Sequence, residues 1–139
     1  MNAVLSPSKA AAKAQLAAGF DKLIAEAFAA GRKAGVEARP HPMIVAHEAA
    51  NGGIDYSKPV YFVDDGACGF AWVKIRPANS SFAKHLLKAG IARGSWNGGV
   101  DIWVSDFNQS IDRKEQMAIA MAKVFKDAGI QAYAESRLD

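Results

Sequence analysis

The side chains in this 139-residue chain that could support covalent or metal chemistry are few and scattered. Cys68, the single cysteine, could act as a nucleophile with a histidine base, but His41, His47 and His85 share no local motif with it. These four residues also lack zinc-ligand spacing. Asp64, Asp65, Asp101 and Asp106 could hold a divalent cation if strand ends gathered them, although aspartates in turns and loops first read as turn formers. The stretch Gly94-Ser95-Trp96-Asn97-Gly98-Gly99 leads into an apolar run. A phosphate-binding glycine loop would instead follow a strand and open a helix. The sequence therefore predicts no catalytic residue, no metal and no cofactor, and leans away from an enzyme.

Binding chemistry is better represented. Gln109, Ser110, Arg113 and Lys114 gather where a helix should begin, and free N–H groups and the helix dipole there favour an anion or an acidic partner. Arg137, near the end of the chain, could join them; otherwise these are capping and solvated residues. Trp96 lies in the glycine-rich loop, where an indole either tucks into the core or marks a contact surface. A third group emerges when the predicted strands are split by their two-residue period. Gly69, Ala71, Val73 and Ile75, with Val100, Ile102, Val104, Ile130, Ala132 and Ala134, form a small or aliphatic face. The opposite face carries Phe70, Trp72, Lys74, Trp103 and Tyr133, together with Cys68, Asp101, Ser105, Gln131 and Glu135.

The elements that must position these groups follow from periodicity and punctuation. Ser6 followed by Pro7 signals a helix start, and Leu16, Phe20, Leu23, Ile24, Ala27 and Phe28 recur on one face, predicting an amphipathic helix over 8–33 that frays at Gly31 and Gly35. Residues 36–58 read as a long connection in which Met43–Val45 form a short extended piece. Residues 60–63 and 68–75 predict a β-hairpin across Asp64-Asp65-Gly66-Ala67. A short helix follows Ser80 or Ser81, and a strand spans 100–105. A helix begins with a capping box at Asp112 and Glu115 and carries the stripe Met117, Met121, Val124 and Phe125, and a last strand spans 130–135. The order α-β-β-α-β-α-β predicts an α+β fold around a mixed four-stranded sheet. Two helices occupy its aliphatic face, and the apolar stripe of the first helix makes that helix the natural cover for the aromatic one. Left uncovered, the aromatic face would be a stacking platform for nucleic-acid bases.

Seventeen basic against fourteen acidic residues give a net charge of +3. The excess lies within residues 1–39, where Lys9, Lys13, Lys22, Arg32, Lys33 and Arg39 face only Asp21, Glu26 and Glu37; residues 40–139 balance. Two parts are expected: a basic amphipathic helix over 1–39 and a single α+β domain over 40–139. A lone cysteine argues against a disulfide scaffold, no apolar run approaches the ~20 residues that span a bilayer, and no signal peptide is evident. The expected setting is the host-cell cytoplasm or a virion, without membrane attachment.

Gly69-Phe70-Ala71-Trp72-Val73 partly resembles the central strand motif of RNA-recognition domains, with Cys68 in place of a basic residue and Ile75 in place of the last aromatic. In the sequence reading two helix–strand units follow this strand, where that fold has one. Several strings together, Pro42-Met43-Ile44-Val45, Lys58 to Val63, Cys68 to Val73, Gly98 to Val104, Gln109-Ser110 with Arg113-Lys114-Glu115, and Ser136 to Asp139, resemble a small uncharacterised protein family of tailed bacteriophages and prophages. That resemblance covers residues 40–139 and carries no catalytic residue with it. It implies a phage-encoded accessory protein, non-enzymatic, acting on an unidentified protein partner or as a homo-oligomer. The alternatives are single-stranded nucleic-acid binding through the aromatic face and an enzyme of unrecognised type centred on Cys68 or the aspartates.

Overall fold

The structure, a computed structural model, describes residues 8–139; the Ser6–Pro7 start signal lies outside them. The elements in chain order are α1 (Lys9–Glu37), β1 (Met43–Val45), β2 (Tyr61–Val63), β3 (Gly69–Arg76), α2 (Ser81–Lys88), β4 (Arg93–Gly94), β5 (Val100–Trp103), α3 (Ile111–Asp127) and β6 (Gln131–Leu138). The serine caps fit the preference of helix N-termini for a side-chain oxygen that accepts an orphan N–H. Ser8 accepts from Ala11, Ser80 from Ala83 and Ser110 from Arg113. Ser110 thus opens α3, ahead of the expected Asp112–Glu115 box.

The α+β class stands, with four strands in the main sheet in the order β4-β5-β3-β6. Every pairing is antiparallel, however, where a mixed sheet was expected. The cause is β4, two residues long and too short to show alternation. It turns the chain over into β5, so that α2 and α3 each cross between strands separated by a third. From β3 onward the chain therefore runs β-α-β-β-α-β, two interlocked split β-α-β units. β3, which carries residues 69–73, is the first of these four strands and is followed by both α2 and α3, so the two helix–strand units that set this chain apart from RNA-recognition domains remain.

The expected hairpin between residues 60–63 and 68–75 does not form. β2 pairs instead with β1, Ile44 lying opposite Phe62, in a separate two-stranded arm. The chain between β2 and β3 is drawn to the start of α3. The Ser110 hydroxyl donates to the Asp65 carbonyl at 2.8 Å, Arg113 Nε to Asp65 Oδ1 at 3.2 Å, and the Ile111 N–H to the Ala67 carbonyl at 3.0 Å. β3 is thereby released to pair on both edges, with β5 and β6. The last strand runs to Leu138, three residues beyond the expected end at Glu135, because Ser136, Arg137 and Leu138 continue the ladder opposite Ala71, Phe70 and Gly69.

The two faces divide as alternation requires. Ala71, Val73, Ile75, Val100, Ile102 and Ala132 are buried beneath Phe82 and Leu86 of α2 and Met117, Met121 and Phe125 of α3. Each of the larger side chains contributes about 1.5–3 kcal/mol by leaving water. α1 does not cross to the aromatic side. It lies on the outer surface of the helical layer, its Phe20 ring edge-on to Phe82 at 5.1 Å and its Ile24 and Ala27 in the core. Gly31 and Gly35 do not fray. They are buried, with Gly31 against Met117 and Met121 and Gly35 against Phe107, and α1 continues to Glu37. Arg113 Nη1 donates to the carbonyls of Gly35 and Val36, satisfying acceptors that the helix end leaves free.

Candidate functional site

With all three helices on one side, the opposite face of the four-stranded sheet is uncovered by any of them. Register assembles it residue by residue. On β3, Trp72 sits between Trp103 of β5 and Glu135 of β6; Lys74 sits between Asp101 and Tyr133; Phe70 faces Arg137. Arg93 of β4 lies opposite Asp101, and Arg76 continues the face at the end of β3.

At the centre, the Trp72 and Trp103 ring centroids are 4.7 Å apart with planes inclined by 34°, and Phe70 meets Trp103 edge-on at 6.3 Å. Aromatic pairs favour such offset and edge-to-face arrangements. The indole N–H of Trp72 donates to Glu135 Oε1 at 2.7 Å, which fixes the ring and satisfies its donor. All three rings are half-buried, and Tyr133 is exposed beside them. The result is a contiguous aromatic strip held in place by its own neighbours.

Lys74 was expected to offer its charge to a ligand, but it is occupied within the protein. It is 1% exposed, and its ammonium donates to Asp101 Oδ1 at 2.8 Å, Asn97 Oδ1 at 3.0 Å and the Gly98 carbonyl at 2.8 Å. An ammonium has three donors, and these three acceptors take them all. The consequence is a loop pinned over one end of the face. Trp96 stands in that loop, between β4 and β5, and is 97% exposed, so it is a surface indole and not a core one.

Among the described residues, the cations of the face outside an ion pair are Arg76, whose Nη2 donates to the Asn97 carbonyl at 3.4 Å, Arg93 and Arg137, against Glu135; Lys74 and Asp101 cancel. Arg93 and Arg76 were not foreseen. Arg93 sits in a two-residue strand with no alternation to read, while Arg76 follows from continuing the β3 alternation by one step.

The group expected at the start of α3 divides. Ser110 caps the helix and bonds Asp65, and Arg113 holds Asp65 and the end of α1. The Gln109 carbonyl receives the Gly69 N–H at 2.9 Å. Asp112, in the same turn, accepts the backbone N–H of His41 at 2.8 Å. Lys114 and Arg137 turn instead toward Phe70, at 5.7 and 5.2 Å from its ring centroid.

The other chemistry-bearing residues stay apart. Cys68 is exposed. His85 bonds Asp21 across α1 and α2 at 2.7 Å, and His41 lies 3.6 Å from Asp112. Asp65, Asp101 and Asp106 are paired with Arg113, Lys74 and Arg32 respectively. Among the described residues, no three histidine, cysteine or carboxylate side chains gather as metal ligands, and no helix is long and apolar enough to cross a membrane. No family model, curated protein or solved structure matches the chain.

Proposed function

We propose that this chain binds single-stranded nucleic acid across the open face of its four-stranded sheet. The carrying observation is the Trp72–Trp103 pair: two half-buried indoles on adjacent strands, 4.7 Å apart, on the sheet face opposite the three helices. Bases stack on such rings with little regard to sequence, each contact contributing about 1–3 kcal/mol. Phe70 extends the strip along β3, and Arg76, Arg93 and Arg137 supply cations for the phosphates on its margins.

Fluorescence gives the test. In a Trp96→Phe background the two remaining indoles, Trp72 and Trp103, both lie on the face. Titration with a short oligothymidylate at low salt should quench them, and Trp103→Ala should weaken binding by about 5- to 150-fold, the loss of one stacked base. Engagement of three arginines should give a slope of log K against log salt near about −2, from about −0.7 per phosphate on a single strand. Absence of both quenching and gel retardation at low salt would remove the reading.

A second reading, a phage-encoded accessory protein working through protein contacts, draws support from the β1–β2 arm. Ile44, Val45, Tyr61 and Phe62 are all exposed there at paired positions of the two strands, and clustered exposed apolar side chains mark interaction surfaces. Phe62→Asp is expected to leave the fold intact and shift any self-association seen by sedimentation. An unchanged sedimentation profile together with no lost partner in pull-downs would count against it.

A further inference from the structure

Two lysines of this chain are buried, and they are treated differently. Lys74, 1% exposed, has a carboxylate and two further acceptors around its ammonium. Lys114, 6% exposed, has neither a carboxylate within ion-pair distance nor any hydrogen-bond acceptor among the described residues. Its one close partner is the Phe70 ring, 5.7 Å from ammonium to centroid. Buried charges are ordinarily paired, because desolvating an ion costs more than an aromatic face returns. Arg137 reaches the same ring from β6, its guanidinium carbon 5.2 Å from the centroid, and has no carboxylate partner among the described residues. The acids nearest in sequence on α3 do not neutralise this pair: Asp112 is turned to His41, and Glu115 makes no ion pair among the described residues.

We infer that Lys114 and Arg137 form a phosphate-binding subsite beside Phe70, taking a phosphate oxyanion from a nucleotide. The inference rests on the nucleic-acid reading of the open face and adds polarity to it: Trp103, edge-on to Phe70, stacks a base while a neighbouring phosphate is received by the ammonium and the guanidinium fork that Phe70 positions. A tetrahedral dianion or diester suits this set, because Arg presents paired donors to two oxygens and Lys acts as a point charge on a third. Binding would supply the countercharge that the protein withholds from Lys114.

The test uses the full chain and two probes, a short oligothymidylate and inorganic phosphate, with Lys114→Met, Lys114→Arg and Arg137→Gln. Lys114→Met should fold with unchanged or raised thermal stability, since it removes an unpaired buried charge; a structural lysine would instead lose stability. The variant should bind the oligonucleotide about tenfold more weakly, with the salt slope reduced by about 0.7, while the indole quenching at saturation is retained. Lys114→Arg should recover most of the affinity. Equal affinity and equal salt slope for Lys114→Met and wild type would overturn the subsite and leave base stacking intact. If the wild type binds no oligonucleotide, the parent reading fails and the phosphate arm decides: a change in the Lys114 side-chain NMR signal on adding millimolar inorganic phosphate, lost in Arg137→Gln, keeps an anion site for a free phosphate source. No change there overturns the subsite as well.

Discussion

Replacing Lys74 by methionine is expected to lower folding stability by about 3–5 kcal/mol, the usual result of breaking a buried ion pair from one side. The substitution leaves Asp101, only 7% exposed, without its counterion, and strips Asn97 and Gly98 of the donor that holds their loop. Against a total of about 5–15 kcal/mol for a domain of this size, that is a substantial fraction of the whole. Urea denaturation measures it, and a loss below about 1 kcal/mol would show that the pair is not the keystone the geometry makes it. Lys74→Met combined with Asp101→Leu should restore most of the stability, because an apolar pair of similar volume avoids the desolvation of both ions. The double variant should nevertheless leave the 95–99 loop loose. Faster amide exchange at Gly98 and lower anisotropy of Trp96 would separate the loop's anchoring from the stability of the sheet.

That Lys74 serves structure and not ligand shows where sequence reasoning on this face ends. The face itself was legible, because a period of two assigns Phe70, Trp72, Lys74, Trp103 and Tyr133 to one side whatever the strand order. Charge on that side reads as an offer to a partner until a neighbouring strand brings Asp101 alongside, and the register that does so depends on β4, two residues with no pattern of their own. The same limit hid Arg93. Arg137 is visible in the sequence as a cation, but the apparent end of its strand at Glu135 groups it with the anion site at α3, whereas the ladder carries it on to face Phe70. The failed hairpin has a related cause: residues 60–63 and 68–75 are both β-rich runs, and their separation suits a turn, but the contacts of Ser110 and Arg113 with Asp65 come from more than forty residues downstream. Local pattern carries no information on that competition.

The placement of α1 was the largest ambiguity, and it yields the second strong expectation. An apolar stripe shows that a helix needs a partner but not which surface supplies it. What selects α3 is Gly31, whose missing side chain lets the two helix backbones approach closely at Met117 and Met121, while Gly35 admits Phe107 from the chain leading into α3. A Cβ on Gly31 would lie 2.7 Å from Met121 Cγ, 2.9 Å from Met117 Cγ and 3.2 Å from the Met117 carbonyl oxygen; the side chains can move, but the carbonyl belongs to the α3 backbone. Gly31→Leu should therefore destabilise the docked state by about 3 kcal/mol, the upper end for overpacking, even though leucine is the better helix former by up to about 1 kcal/mol. Because α1 is alanine-rich and 29 residues long, it should stay largely helical when displaced. Far-UV circular dichroism should change little while the dye-binding surface increases as Phe20 and Phe28 lose their cover. Oligonucleotide quenching of Trp72 and Trp103 should be unaffected, since α1 lies across the helical layer from them. Enhanced quenching in Gly31→Leu would mean that α1 had been shielding the aromatic strip and would overturn its placement; an unchanged melting curve would show that the Gly31 contact does not hold the helix.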